Sequence, residues 1–274
     1  MQQEIIRVNG IDMNVATAGT GRPVLLLHGF PDTHRVWAGQ VAPLLAAGYR
    51  VIAPDLRGYG ASAAPASVAA YSIAILRTDI TALLDALAID KLYLVGHDWG
   101  AIIGWQLCMF SPERIERFAA LSVGHPNAYA AAGLAQKLKA WYAVLFQLPG
   151  IAEAMVGSAN LLALKPHAVD DEQLADWRHN FARPGRLTAA LNYYRANRGL
   201  AQVKPYPPIA LPVMGVWSEG DPALTENQMK DSAQHVHGPF RYEKIEGEVG
   251  HWLQLRESAR LNRLLIEFGA STLS

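Results

Sequence analysis

The string Val95-Gly96-His97-Asp98-Trp99-Gly100 constrains this chain more than any other, because an apolar run ends there and an apolar helical pattern begins directly after it. Such a junction is a strand-to-helix elbow. Glycines two before and two after Asp98 let the chain turn sharply and lift the middle side chain above the end of a sheet. The residue at the tip is a carboxylate. With an unperturbed pKa of about 3.9 it is ionised at neutral pH and suits attack on an electrophilic sp3 carbon, whereas a hydroxyl there would first need a base. An aspartate ahead of a helix is also an ordinary N-cap, so the elbow alone leaves both roles open.

The flanking segments say what sheet the elbow belongs to. Glu4 to Asn9 and Asp12 to Ala18 alternate in polarity and predict two antiparallel strands joined at Gly10. Pro23 to Leu27 is a continuous apolar run, the pattern of a strand buried on both faces. A helix is predicted from Thr33 to Ala47, with Thr33 as N-cap and Gly48 as terminator, then a strand over Tyr49 to Ala53 and a helix over Tyr71 to Ile89. Lys91 to Val95 feeds the elbow, and Arg114 to Val123 reads as a helix end running into a strand. From Pro126 to Lys204 the periodicity is helical and no strand is visible. Pro205, Pro207, Pro208 and Pro212 mark the return to strand Leu211 to Trp217, helix Glu226 to Ala233, strand Phe240 to Ile245 and closing helix Ser258 to Gly269. This alternation predicts a mostly parallel eight-stranded sheet with helices on both faces. The helical insertion predicts a lid over the carboxyl ends of the strands, closing on Asp98. Expected boundaries are a core over 1–125 and 206–274 and a cap over 126–205.

Bulk composition narrows the partners. At 274 residues with 51% hydrophobic and 18% charged side chains, the chain can bury one large core plus an inserted lid. Lys+Arg and Asp+Glu are both 24, so there is no basic excess to track a phosphate backbone, and no nucleic-acid partner is expected. Cys108 is the single cysteine, lies in an apolar helical pattern and lacks the spaced partners of a zinc site, so no metal is expected. The start, Met1-Gln2-Gln3-Glu4, has neither a basic nor an apolar leader region, and no stretch of 18 or more apolar residues follows. The expectation is a cytoplasmic protein with no membrane span, acting on a small molecule, with a homodimer left open.

A carboxylate that attacks carbon becomes an ester, and that ester needs a general base for water and a partner to orient the base. His251, in Val249-Gly250-His251-Trp252, follows the last strand, and Asp221, in Trp217-Ser218-Glu219-Gly220-Asp221-Pro222, follows the one before. Their order after Asp98, nucleophile then acid then histidine, is that of the α/β hydrolases. Glu219 and Glu248 are rival acids; Asp221 is preferred because Gly220 and Pro222 fix a turn around it. Most other histidines read as surface or packing residues, and His97 is expected to face away from the cavity. Leu27-His28-Gly29-Phe30-Pro31-Asp32 ends the strand next to the elbow, where the Phe30 N–H can join that of Trp99 as an oxyanion hole. Trp99 also opens a helix, whose positive end favours nearby negative charge. Asp55-Leu56-Arg57-Gly58-Tyr59-Gly60 reads as a structural Asp/Arg network.

Together these residues resemble the epoxide hydrolases of the α/β-hydrolase fold over nearly the whole chain: HGFP at 28–31, DLRGYG at 55–60, GHDWG at 96–100, WSEGD at 217–221 and GHW at 250–252 stand in that family's order. The resemblance implies a reaction without metal or organic cofactor, an epoxide and water as reactants, and two lid tyrosines that donate to the epoxide oxygen. Matched segment by segment, these are Tyr142, in Trp141-Tyr142-Ala143-Val144-Leu145-Phe146, and Tyr194, in Leu191-Asn192-Tyr193-Tyr194-Arg195. Periodicity does not choose them: Leu187, Leu191 and Tyr194 have the spacing of a buried stripe, and Trp141 and Tyr193 are adjacent rivals. A phenol suits an epoxide because ring opening expels an alkoxide that must be protonated, whereas halide needs no proton. A haloalkane dehalogenase is thus the enzymatic alternative, and a non-catalytic binding protein on the same fold the other. Trp99, Phe146 and Trp252 are the expected pocket walls.

Overall fold

The computed structural model describes residues 1–158 and 161–271. Eight strands form one sheet in the order β1-β2-β4-β3-β5-β6-β7-β8. They are β1 Gln2–Val8, β2 Ile11–Ala18, β3 Arg22–Leu27, β4 Tyr49–Pro54, β5 Leu92–His97, β6 Ile115–Leu121, β7 Val213–Ser218 and β8 Phe240–Ile245. Strand β2 is antiparallel to both neighbours and every other pairing is parallel. Because side chains alternate across a strand, the apolar run of β3 supplies two cores at once: Leu25 and Leu27 on one face, Val24 and Leu26 on the other. The chain runs from β3 to β4 on one side and returns with β5 on the other, and the crevice at such a reversal lies outside the carboxyl ends of β3 and β5.

Helices α1 (Ala38–Ala46) and α12 (Ser258–Ala270) cover one face; α2 (Ile73–Ala86) and α3 (Trp99–Phe110) cover the other. Helix α1 starts later than expected from Thr33. That residue caps a 3-10 turn over His34–Trp37, its Oγ1 accepting the Arg35 N–H, and the α-helix begins only at Ala38. Pro43 inside α1 withdraws the N–H that would bond the Gly39 carbonyl, and Asn262 Nδ2 of α12 donates there instead, at 2.9 Å. Tyr71 likewise falls in a 3-10 turn ahead of α2. Glu226 to Ala233 divides into α10 (Glu226–Lys230) and another 3-10 turn. The 55–60 loop is structural, but Asp55 and Arg57 do not pair. Asp55 accepts from His34 and Asn14, and burial is outweighed by His34, which holds its carboxyl well below the usual range. Arg57 instead grips Asp79 of α2 with two nitrogens.

Between β6 and β7 the described residues form α4 (Pro126–Ala131), α5 (Gly133–Lys139), α6 (Trp141–Leu145), α7 (Ile151–Gly157), α8 (Asp171–Ala182) and α9 (Arg186–Ala196), with no strand among them. Helices α8 and α9 are tied to the core by polar contacts at element ends. Asp176 accepts from Thr33 Oγ1 (2.7 Å), Asn180 from the Gly60 N–H (2.8 Å), and Tyr193 donates to the Arg57 carbonyl (2.7 Å). Arg183 and Arg186 donate to the carbonyls of Gly60 and Ser62. Asp32, at the end of the loop after β3, accepts from Gln173 and Trp177 of α8 and from Trp252.

Candidate active site

The elbow needs both of its glycines. A Cβ on Gly96 would stand 2.4 Å from the Gly100 carbonyl oxygen, and one on Gly100 would stand 2.0 Å from that of Leu27. Neither can give way, because both obstacles are backbone. Asp98 between them is held at φ 52° and ψ −118°, a conformation that costs a non-glycine residue about 1–3 kcal/mol. Its side chain makes no capping bond to α3, so the helix-cap reading of this aspartate fails. The carboxylate instead points across the crevice at the end of β3, where the Phe30 N–H donates to Oδ1 at 2.8 Å. Trp99 begins α3, and N–H groups of a first helical turn have no partner within the helix.

Opposite the second oxygen stands His251. Its Nε2 lies 3.6 Å from Asp98 Oδ2, and its Nδ1 donates to Asp221 Oδ2 at 2.9 Å. Asp221 is fixed in turn, Oδ1 accepting the N–H groups of Ala223 (2.8 Å) and Leu224 (3.0 Å). Among the rival acids, Glu219 is exposed and accepts the Gly247 N–H, and Glu248 is exposed. Burial alone would lower the His251 pKa. The charge of Asp221 and then that of Asp98 outweigh burial and raise it to about 10. Burial would raise Asp98, yet His251 and the Phe30 N–H hold its carboxyl below the ordinary value. The two acidic side chains on either side of His251 thus favour the protonated form of its ring.

His97 faces away from the cavity, as expected, but does more than pack. Its Nε2 donates to the His251 carbonyl at 2.9 Å, and Ser122 Oγ, just past the end of β6, donates to the same oxygen at 3.3 Å, so the histidine backbone is pinned from two sides. Burial, reinforced by His251, lowers the His97 pKa to about 3 and keeps it neutral. No spacing in the chain announces this contact, which joins residues 154 apart.

A cavity of about 410 Å³ opens above Asp98, lined on the core side by Trp99, Ile102, Val123 and Leu224 and on the other by residues of α4 to α6 and α9. Tyr142 and Tyr194 both line it, their rings 6.0 Å apart and near-perpendicular. Burial and the nearby Asp98 charge raise both phenols well above 10, so they remain protonated donors at neutral pH. The rivals are elsewhere: Tyr193 is buried against Arg57, and Trp141 is 62% exposed. Tyr129 of α4 also lines the cavity; it follows the carboxyl end of β6 on the same sheet edge, a placement that could have flagged it. Phe146 and Trp252 do not wall the cavity as expected. Phe146 packs behind the two phenols and Phe30, and the Trp252 indole is turned away by its bond to Asp32 and its contact with Trp177. Among the described residues no three His, Cys, Asp or Glu side chains converge as metal ligands would. No helix among them is long and apolar enough to cross a membrane.

The family model described as alpha/beta hydrolase fold matches residues 22–258. An AB hydrolase superfamily protein of Bacillus subtilis is 34% identical over 97% of this chain and 96% of its own length. Epoxide hydrolase A of Mycobacterium tuberculosis is 32% identical over 97% and 96%. Among solved structures, an epoxide hydrolase from Vigna radiata superposes with a TM-score of 0.86 at 32% identity, covering 97% of each chain. Epoxide hydrolase A from Mycobacterium thermoresistibile gives 0.82 at 28%, covering 100% and 99%.

Proposed function

Because the chain belongs to the epoxide hydrolases of the α/β-hydrolase fold, we propose that it converts an epoxide to a vicinal diol through a covalent ester on Asp98. The observation that carries the reading is one nucleophilic carboxylate and two protonated phenols facing a single cavity, with an oriented histidine 3.6 Å from the carboxylate. Residues 126–205 act as the cap and the remainder as the core.

In the first step Asp98 Oδ2 forms a bond to an epoxide carbon from the side opposite the breaking C–O bond. The departing alkoxide accepts a proton from Tyr142 or Tyr194, which lowers the charge that would otherwise accumulate in an apolar cavity. Ester formation removes one of the two carboxylates facing His251. Its imidazolium then loses a large part of what held its proton, which returns to the phenolate left by ring opening, so the phenol is restored and the neutral ring becomes the base the next step requires. Water, deprotonated by His251, attacks the ester carbon. Negative charge develops on Oδ1, which the Phe30 N–H already faces at 2.8 Å, and the Trp99 N–H completes the oxyanion hole. Collapse breaks the bond between the ester carbon and the diol oxygen; the departing alkoxide takes the proton still carried by the attacking oxygen, and the diol leaves with the carboxylate regenerated. The paired phenols favour this reaction over halide displacement, since halide departs without a proton.

A single turnover in oxygen-18 water tests the covalent route. The first diol takes its new oxygen from Asp98 and carries no label; labelled first-turnover product would rule out the ester. His251→Gln, mixed with substrate, should accumulate an adduct on the peptide containing residue 98, visible by mass spectrometry.

A further inference from the structure

Exposed large apolar side chains are not scattered over this molecule. Of the thirteen among the described residues, eight fall between Leu134 and Leu162: Leu134 (71%), Leu138 (65%), Trp141, Val144 (73%), Leu148, Ile151, Met155 and Leu162. Steps of three and four residues along α5 and α6 place the first of these on one helical arc, and backbone bonds from Ala140 to Gln136 and from Ala143 to Ala140 carry the winding across the junction. An apolar stripe facing solvent costs solubility and marks a surface that something covers.

Charge says what covers it. Across residues 124–169 the only acid is Glu153, and Arg195 neutralises it through two contacts of 2.7 and 3.0 Å. The same segment carries Lys137 and Lys165, both exposed, and exposed Arg198, like Lys137, lines the cavity. Apolar side chains including a tryptophan, with Lys137 and Arg198 at the same cavity and no acid but the paired Glu153 from Leu134 to Leu162, match the interfacial zone of an anionic bilayer. A second copy fits worse, because a two-fold contact would bring like charges together and close the cavity, whose lining includes Lys137, Val144 and Arg198 of this same region. We propose that the α5–α7 stripe docks the protein reversibly on an anionic lipid surface, with the cavity mouth toward the lipid. The motive, collection of apolar epoxides from the phase they partition into, rests on the function proposed above; the docking is read by binding alone and stands or falls separately.

Co-sedimentation of the full chain with vesicles of phosphatidylcholine, alone or mixed with phosphatidylglycerol, tests it. Wild type should pellet with the anionic vesicles only and be released by salt. The triple variant Leu134→Ser/Leu138→Ser/Trp141→Ser should lose about tenfold or more of the bound fraction. Its thermal melt and its turnover of a water-soluble epoxide should be unchanged, and Lys165→Glu should weaken binding less. Wild type left in the supernatant with both vesicles, or a triple variant that still pellets, would overturn the proposal. So would a wild-type dimer in analytical ultracentrifugation that the triple variant abolishes, since the stripe would then belong to a second copy.

Discussion

The two halves of the helical insertion are held in opposite ways. Helices α8 and α9 are fixed by side-chain bonds into loops of the core, including two donors of α8, Gln173 and Trp177, on Asp32 and the arginines Arg183 and Arg186 on the carbonyls of Gly60 and Ser62. Helices α5 to α7 have fewer such ties, chiefly Gln136 to Ala223 and Thr225 and Lys139 to the Asp221 carbonyl, and show apolar side chains to solvent. Yet each half delivers one cavity phenol, Tyr194 from α9 and Tyr142 from α6. Placing a donor precisely does not require that its whole helix be riveted. The edge-on ring contacts of Tyr142 and Tyr194 with each other and with Phe146 hold the looser phenol against the fixed one.

The sharpest way to break this comparison is to remove both phenols. The double variant Tyr142→Phe/Tyr194→Phe should lower kcat by about 10²–10⁴-fold, the range for general acid catalysis, with little change in fold. If Tyr142→Phe alone raises KM more than Tyr194→Phe does, the looser half also helps to seat substrate. Stability should then separate the halves. Asp32→Ala strands three buried donors and should cost about 3 kcal/mol in denaturant unfolding, with the α8 amides exchanging faster. A pH series sharpens the point. Burial, opposed by its three hydrogen bonds, pushes Asp32 up to about 6, above its ordinary value of 3.8. Between those values the folded protein keeps a proton that the unfolded chain has lost, so the contribution of this group to stability falls as pH rises toward 6. The slope is at most about 1.4 kcal/mol per pH unit. Asp32→Asn should flatten it relative to wild type. Least of all, Leu134→Ser or Leu148→Ser should change stability by no more than about 0.5 kcal/mol; a larger loss would mean that the apolar half is packed after all.

Much of the core was legible because its periodicities are strong and its special residues have no substitute. Continuous apolar runs marked β3 and β5, and the Gly96/Gly100 pair could be read as an elbow because only glycine clears the facing carbonyls. Asp221 was separable from Glu219 by the turn that holds it. What resisted reading depends on contacts made after folding. The late start of α1 follows from a 3-10 turn that no periodicity signals. Arg57 found Asp79 rather than its neighbour Asp55, a choice made by tertiary packing. Trp252 looked like a pocket wall from its position beside His251, but its indole N–H had a buried carboxylate within reach and turned toward it. For the two cavity tyrosines spacing was silent, and a family likeness supplied the choice.

The 2.8 Å bond from the Phe30 amide makes the two oxygens of Asp98 unequal. If that grip lasts through turnover, the carboxyl cannot spin. One atom stays resident in the hole while the other is handed to product and replaced from solvent in each cycle. After many cycles in heavy-oxygen water, the aspartate should carry a single exchanged atom, never two.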